Sequence, residues 1–206
     1  MTVRLSRGEQ VERNRVLLLD AARRAFLERG YAGATVDAIA EEAGFSKGVV
    51  YSQFAGKPDL FLALLERRID ERAAENDQVV AQHTGTDALR ALLRTNARHD
   101  TDRAGWALLL IEFRVAASRD PRLNARYTGL HERTLERFTT AVETALRADG
   151  LGPVFPVRSF AHLVLALSSG AVLEHATDPA ALPTDLLEAL LVRLVAPADR
   201  VGTGKE

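Results

Sequence analysis

Apolar side chains recur along this chain at intervals of three and four residues, which is the spacing of one face of an α-helix. Leu18, Ala22, Ala25 and Phe26, for example, share one face of a helix predicted over residues 12–29. The alternation of apolar and polar positions that is typical of strands is not seen, and Ala, Leu, Arg and Glu dominate the chain. The pattern therefore predicts an all-α fold.

Glycine, proline and capping residues indicate where the helices begin and end. Gly30 is expected to end the first helix, Pro58 lies in the first turn of the fourth, and the turn over residues 149–153 separates the seventh from the eighth. About nine helices are predicted, over residues 12–29, 36–44, 46–53, 57–82, 86–100, 104–119, 121–148, 157–176 and 184–195.

Residues 35–54 have the spacing of a helix-turn-helix, in which two short helices meet at a wide angle across a tight turn. Ala40 is small where the second helix packs on the first, Gly44 tolerates the positive φ of the turn, and Val50 is the inward-facing apolar anchor. Three more apolar residues complete a small core: Ile39, Ala43 and Phe45. A plain helical hairpin could match the same spacing, so the spacing alone leaves both interpretations open.

The sequence around this spacing resembles the DNA-binding domain of the TetR family of transcriptional regulators. The similar stretches are Leu18-Leu19-Asp20-Ala21-Ala22, Ala25-Phe26, Gly30-Tyr31, Thr35-Val36-Asp37-Ala38-Ile39-Ala40 and Ala43-Gly44-Phe45-Ser46-Lys47-Gly48-Val49-Val50-Tyr51, with Phe54, Lys57 and Leu60. The resemblance covers about residues 12–65. It implies an N-terminal three-helix DNA-binding domain with a helix-turn-helix, followed by a helical ligand-binding and dimerisation domain.

The resemblance also implies a division of the chain into four parts and a set of DNA-contacting residues. The parts are a flexible arm over residues 1–11, the helix-turn-helix domain over 12–57, the ligand-binding and dimerisation domain over 58–196 and a tail over 197–206. The implied DNA-contacting residues are Thr35, Ser46, Lys47, Gly48, Val49, Tyr51, Gln53 and Lys57.

These residues have different expected roles in binding duplex DNA. The start of the recognition helix, residues 46–49, would meet base edges in the major groove, with Lys47 donating to guanine. Lys57 and Thr35 lie at helix N-termini and would bind phosphates. Gln53 stands where the family often has an aromatic residue or His, so a shifted operator preference is expected. The competing interpretations are a half-buried core side chain for Tyr51 and solvated surface charges for the two lysines.

The predicted helix over residues 104–119 is apolar almost all round, which is typical of a helix central to its domain. Core packing explains most of its side chains, whereas the resemblance implies that it lines a ligand cavity. The residues predicted to bind a small-molecule effector are Trp106, Leu109, Leu110, Phe113, Arg114, Tyr127, His131 and His162. Glu112 and Arg114 interrupt the apolar run and need polar partners, either in a ligand or in an ion pair.

The last two predicted helices carry apolar residues on more than one face, which indicates a second partner besides their own core. The expected interface residues are Leu163, Ala166, Leu167, Gly170 and Ala171, with Leu187, Leu190, Leu191 and Leu194. The resemblance implies that these helices join two copies about a two-fold axis. Such a homodimer would place two recognition helices roughly 34–36 Å apart on a palindromic operator. The alternative is a monomer with thick helical packing.

Composition narrows the remaining function classes. The chain has 206 residues, a formal net charge of −1 and no cysteine, which excludes disulfides, thiol nucleophiles and cysteine-bound zinc. Residues 1–57 carry nine Lys or Arg against seven Asp or Glu, a mild basic excess that permits DNA binding. The sequence has no run of eighteen apolar residues and no apolar segment near Met1, so neither a membrane span nor export is expected. A cytoplasmic location is therefore expected.

No nucleophile motif, phosphate loop or metal-ligand spacing is found in the sequence. No catalytic residue, metal or cofactor is therefore predicted. Two classes compete with a ligand-responsive repressor: an all-α enzyme, and a helical scaffold that does not bind DNA. Specific retardation of operator DNA by the purified protein would separate the three.

Overall fold

The computed structural model describes residues 6–97 and 101–197. The elements run in the order α1 (Arg7–Gly33), α2 (Val36–Glu42), α3 (Lys47–Tyr51), α4 (Lys57–Gln82), α5 (Gly85–Ala97), α6 (Thr101–Ala117), α7 (Pro121–Arg147), β1 (Leu151–Pro153), α8 (Val157–Thr177), α9 (Thr184–Val192) and β2 (Val195–Pro197). The prediction of an all-α fold with about nine helices is confirmed, since the described part of the chain has nine.

The first helix begins earlier than predicted, at Arg7 instead of about residue 12. The Ser6 backbone N–H donates to the Glu9 carboxylate at 2.7 Å, and the Glu9 N–H donates to the Ser6 hydroxyl at 3.2 Å. This reciprocal pair is a capping box, which satisfies two of the backbone donors at the start of a helix. Residues 7–11 of the expected flexible arm are therefore helical, and residues 1–5 lie outside the described ranges.

A two-stranded antiparallel sheet closes the C-terminal half, where the sequence predicts a turn over residues 149–153 and a last helix that ends at residue 195. Leu151 pairs with Pro197, and Pro153 pairs with Val195. Each strand has three residues, too few for an apolar–polar alternation to be seen in the sequence. Of the predicted tail, Pro197 ends β2, and residues 198–206 lie outside the described ranges.

The chain forms two compact units. The first contains the residues up to Arg68 and the segment Leu109–Tyr127, and the second contains Ile69–Leu108 and the residues from Thr128 onward. Three helices, α4, α6 and α7, contribute residues to both. The boundary predicted at residue 57 falls within the first unit.

The core of the first unit contains a cluster of five aromatic side chains: Phe26, Tyr31, Phe61, Phe113 and Tyr127. The Phe61 and Phe113 rings stack with centroids 4.2 Å apart, and Tyr31 meets both rings edge-on at 5.2 and 5.0 Å. Phe26 meets Phe61 at 5.4 Å, and Tyr127 meets Phe113 at 5.7 Å. Edge-to-face and offset contacts at these distances are favourable beyond the burial of apolar area. The cluster therefore joins α1, α4, α6 and α7 within one unit.

The core of the second unit is built from α5, α7, α8 and α9. Its fully buried large side chains include Leu89, Leu92, Leu135, Leu146 and Phe160. Within the described ranges, α8 is the one helix long and apolar enough to cross a membrane by length and composition. The buried face of α8, with Phe160, Ala161 and Val164, lies in this core.

A buried acidic residue fastens α9 to α5. Glu188 is only 5% exposed, and its carboxylate accepts hydrogen bonds from Arg94 at 2.6 and 3.0 Å and from Arg90 at 2.7 Å. Burial alone would raise the pKa of the Glu188 carboxyl, but the hydrogen bonds and charges of Arg94 and Arg90 outweigh burial and hold this pKa below its ordinary value. The ionised form of Glu188 is therefore favoured in the folded protein.

This shift predicts a pH-dependent contribution of Glu188 to stability. A pKa lowered on folding stabilises the protein above the unfolded pKa, about 4.3, and the contribution is lost as the pH falls through the folded pKa. We expect Glu188→Gln to lower the urea midpoint of unfolding at pH 7, and the gap from wild type to narrow below about pH 4. Glu136→Gln, at an exposed position of α7, is the control. An equal gap at pH 7 and pH 3 would contradict the assignment.

Candidate nucleic-acid interface

The helices α2 and α3 form the helix-turn-helix that the spacing predicts. The Thr35 hydroxyl caps α2 by accepting the Ala38 N–H at 3.2 Å. Gly44 has φ +72, the left-handed conformation that the turn requires. Ile39 and Val50 are fully buried. The expected roles of Gly44 as the turn residue and Val50 as the anchor are confirmed.

The outer face of α3 is solvent-exposed at its N-terminal end. Ser46, Lys47 and Gly48 are all exposed, and the Ser46 side chain makes no capping hydrogen bond to the helix it precedes. A Cβ atom added at Gly48 would meet only the Ser46 hydroxyl, at 3.7 Å, which is ordinary van der Waals contact. This end of the helix therefore presents the Ser46 hydroxyl and the Lys47 ammonium beside a residue without a side chain. Exposed polar groups at a helix N-terminus are what a helix entering a DNA groove requires.

Lys47 is held by an acidic residue of the preceding helix. Its Nζ atom lies 2.5 Å from the Asp37 carboxylate, and both side chains are about 60% exposed. The hydrogen bond to Asp37 raises the pKa of Lys47 above its ordinary value, so the side chain is fully charged at neutral pH. A pair this exposed contributes little to stability, and the ammonium can exchange Asp37 for a phosphate or base acceptor.

Tyr51 and Gln53 lie at the other end of the recognition helix. Tyr51 is 56% exposed, which removes the interpretation of a half-buried core side chain. Gln53 is half-buried, and its Oε1 atom is buried without a hydrogen-bond partner. Arg15 of α1 lies over the Phe54 ring, 4.8 Å from its centroid. Nothing in the sequence signals this last contact, because the two residues are 39 positions apart.

Lys57 binds the end of α1, after the break at Gly30. Its ammonium donates to the carbonyl oxygens of Tyr31 at 2.8 Å and Ala32 at 3.1 Å, and it lies 4.8 Å from the centre of the Tyr31 ring. Burial lowers the pKa of Lys57. Two of its three N–H groups are thus used within the protein, so the competing interpretation of a solvated surface charge does not hold. A phosphate contact through the remaining donor stays a prediction.

Comparison with known proteins decides the family. The sequence profile of bacterial regulatory proteins of the tetR family matches residues 18–64, and that of the C-terminal domain of BetI-type transcriptional repressors matches residues 85–198. The second match alone covers more than half of the chain. This chain belongs to the TetR family.

Relatives of the same family align over much of the chain. The transcriptional repressor AcnR of Corynebacterium efficiens is 32% identical over 142 residues, which is 69% of this chain and 70% of the relative. Repressors of the same name from Corynebacterium diphtheriae and Corynebacterium glutamicum align over 57% and 59% of their own lengths, so less than two thirds of each is spanned.

Solved structures support the fold. A transcriptional regulator of Rhodococcus sp. is 27% identical and superimposes with a TM-score of 0.69, covering 87% of this chain and 92% of its own. FadR of Bacillus subtilis, solved in complex with stearoyl-CoA, superimposes with a TM-score of 0.67 over 93% of this chain and 99% of its own. FadR is 16% identical, so this likeness concerns the fold.

The residues predicted to bind the effector of a TetR-family regulator divide between the two units. Leu109, Leu110, Phe113, Arg114 and Tyr127 belong to the first unit, whereas Trp106, His131 and His162 belong to the second. Phe113 and Tyr127 are buried in the aromatic cluster, and Leu109 is 2% exposed. Burial also raises the pKa of the Tyr127 hydroxyl, so it stays protonated at neutral pH. The ligand-binding role of these residues stays a prediction.

The structure brings two of the predicted ligand-binding residues together. The rings of His131 on α7 and His162 on α8 stack with centroids 6.0 Å apart. His131 is half-buried and His162 is exposed. The two polar residues in the apolar run of α6, Glu112 and Arg114, are both exposed, and the Glu112 carboxylate accepts the Tyr31 N–H at 2.8 Å. The contact of Glu112 was not foreseen, because its partner is 81 positions away.

An apolar surface remains on the last two helices, where TetR-family resemblance implies a dimer interface. Ala166, Gly170 and Leu173 form an exposed stripe on α8 at helical spacing. On α9, Leu186 is 56% and Leu190 is 49% exposed. Two residues expected in the interface, Ala171 and Leu191, are instead buried within the second unit, at 2% and 4% exposed. The interface stays a prediction, now centred on the exposed stripe.

Proposed function

We propose that this protein is a ligand-responsive transcriptional repressor that binds a palindromic operator as a homodimer. The observation that carries the proposal is the exposed start of α3, where Ser46, Lys47 and Gly48 project from a helix-turn-helix anchored by the buried Val50. Membership of the TetR family and the repressor names of the aligned relatives support the same function. In this proposal residues 46–49 and Tyr51 read base edges and backbone in the major groove.

The dimer supplies the geometry that one recognition helix lacks. A two-fold interface uses the same surface patch of both copies, so the stripe of Ala166, Gly170 and Leu173 on α8 would pack with Leu186 and Leu190 of α9 against its own counterpart. Small residues on α8 allow close approach of helix backbones, and the exposed leucines supply apolar area. The two recognition helices would then face successive major grooves, roughly 34–36 Å apart.

The effector in this proposal is a small molecule bound by the helical C-terminal part. It must bind one conformation of the repressor more tightly than the other, because equal affinity for both would shift nothing. Trp106, His131 and His162 are the polar or aromatic residues of the second unit proposed to contact it. FadR of Bacillus subtilis, which has the same fold, was solved with stearoyl-CoA and gives a precedent for a bound small molecule.

Selection of duplexes from a random-sequence library by the purified protein tests this function. The proposal expects an enriched palindrome, a gel shift that excess random competitor does not abolish, and a dimer in solution by light scattering. A monomer that enriches no sequence would overturn it and favour the helical scaffold. Chemical turnover of a small molecule by such a protein would favour the all-α enzyme.

Lys47 gives a sharp test of the DNA contact because its side chain is exposed. We expect Lys47→Gln to weaken binding to the selected duplex by about tenfold or more and to relax the preference for the guanine that Lys47 contacts in each half of the palindrome. Gel shifts on the selected duplex and on duplexes with that base pair replaced would measure both effects.

Asp37→Asn is the matched control, since it frees Lys47 from its internal partner and removes a negative charge from the same surface. It is expected to tighten binding. Lys57→Ala is less clean, because it also removes the hydrogen bonds to Tyr31 and Ala32. Unchanged affinity and unchanged base preference in Lys47→Gln would contradict the proposed contact.

A further inference from the structure

The main chain departs from helix at Gly30, near the end of α1. Gly30 has φ +70 and ψ 172, so the helical hydrogen-bond ladder is interrupted there. Tyr31 follows with its ring fixed in the aromatic cluster, and Ala34, at the end of the segment, is fully buried. Thr35 then caps α2. The position of the helix-turn-helix on the first unit is therefore set over five residues, 30–34.

Two charged side chains satisfy the backbone groups that this break leaves open. The Tyr31 N–H donates to Glu112 Oε2 at 2.8 Å, and Lys57 donates to the carbonyl oxygens of Tyr31 and Ala32. Hydrogen bonds between backbone groups and ionised side chains are stronger than those between neutral groups. One peptide segment is thus held from both its donor side and its acceptor side by residues of two other helices.

The Glu112 carboxylate lies where a side chain at position 30 would begin, so any such side chain would displace it. A Cβ atom on Gly30 would lie 2.8 Å from Glu112 Oε2 and 3.2 Å from Oε1. Phe113, the next residue of α6, stacks on Phe61 and meets the Tyr31 ring at 5.0 Å. Glu112 therefore contacts the main chain of Tyr31, while Phe113 packs on the side chain of Tyr31.

We propose that Glu112 is a positioning residue for operator binding. Its carboxylate fixes the Tyr31 peptide, and through it the start of α2, in the orientation that the recognition helix needs. The inference rests on the proposed DNA-binding function and adds a residue outside the helix-turn-helix on which operator affinity depends.

Three substitutions of Glu112 separate the effect of side-chain length from the effect of charge. Glu112→Gln keeps an acceptor oxygen at the same distance and removes the charge, whereas Glu112→Asp keeps the charge and is too short by one methylene group. Glu112→Ala removes both. Glu136→Ala, an exposed acidic residue of α7, is the control for a changed net charge.

Operator affinity is measured by gel shift on the duplex selected by the wild-type protein. The Gln variant, which keeps a weaker neutral hydrogen bond, is expected to bind within about threefold of wild type, and the Asp and Ala variants about tenfold more weakly. Hydrogen–deuterium exchange of the segment 30–34, measured without DNA, is expected to be faster in the Asp and Ala variants alone. Thermal unfolding confirms that each variant is folded, and the comparison of Gln with Asp stands even if the Ala variant is not.

The outcomes distinguish this inference from the proposed function. If the wild-type protein selects no duplex, the proposed function fails, and the exchange experiment still tests whether Glu112 holds the segment. If wild type binds its selected duplex and the Asp and Ala variants bind equally well, the positioning role is overturned. Weak binding by Gln with normal binding by Asp would also overturn it, because charge and not the hydrogen bond would then matter.

Discussion

Phe61→Ala is expected to lower the free energy of unfolding of this protein by about 3–5 kcal/mol. The Phe61 ring is fully buried, stacks on Phe113 at 4.2 Å and meets Phe26 and Tyr31 edge-on at 5.4 and 5.2 Å. Its removal leaves a cavity among rings that belong to two other helices, α1 and α6, and cannot all move inward together. For a chain of this length, each kcal/mol lowers the melting temperature by roughly 2–4 °C.

Urea denaturation followed by circular dichroism would measure the change in unfolding free energy. Val115→Ala removes apolar atoms from a side chain that is 52% exposed, and it is expected to change stability by less than about 0.5 kcal/mol. Phe61→Leu keeps part of the side-chain volume, so its loss of unfolding free energy should lie between those of Val115→Ala and Phe61→Ala. A loss below about 1 kcal/mol in Phe61→Ala would mean that the aromatic cluster is not the core of its unit.

Placing charges on the two exposed leucines of α9, Leu186 and Leu190, is expected to abolish tight operator binding. In the double variant Leu186→Glu and Leu190→Glu, each copy would bring two carboxylates into the proposed interface, and burying an unpaired ion costs several kcal/mol. Loss of about 3 kcal/mol of dimerisation free energy is roughly a 100-fold weaker dimer. Operator affinity would fall by at least as much, because a single recognition helix reads only half of a palindrome.

Light scattering across a concentration series would follow the dimer, and gel shifts would follow the operator complex. Val154→Glu is the control, since it places one such charge on another large apolar side chain of the second unit that is about half exposed. The control is expected to leave both measurements unchanged. A double variant that remains a dimer at low micromolar concentration would place the interface elsewhere on the protein.

The parts of the fold that were predictable depend on short-range chemistry. Gly44 and Val50 lie six residues apart, and their roles follow from the turn and the anchor of a single supersecondary unit. The start of α4 at Lys57 follows from the proline at its second position. The early start of α1 could also have been predicted, since Ser6 and Glu9 have the spacing of a capping box.

The parts that were not predictable depend on pairs far apart in the sequence. Glu112 reaches Tyr31 across 81 positions, and Arg94 reaches Glu188 across 94. The apolar pattern places an acidic residue such as Glu112 on a helix but cannot say which backbone group it will meet. The two strands were missed for the same reason, because three residues form a strand only when a distant partner supplies their hydrogen bonds.

The absence of a side chain at Gly48 has a consequence for how the operator preference of such a regulator can change. Nothing inside the protein requires glycine there, since an added Cβ atom meets only the Ser46 hydroxyl at an ordinary distance. Glycine within a helix costs roughly 0.5–1 kcal/mol relative to alanine, so the protein would gain stability from a change. In the proposed repressor, any requirement for glycine at position 48 would come from the bound DNA. An alanine there would meet no closer atom inside the protein than the Ser46 hydroxyl, so in the proposed repressor this is a position at which the operator preference can be changed.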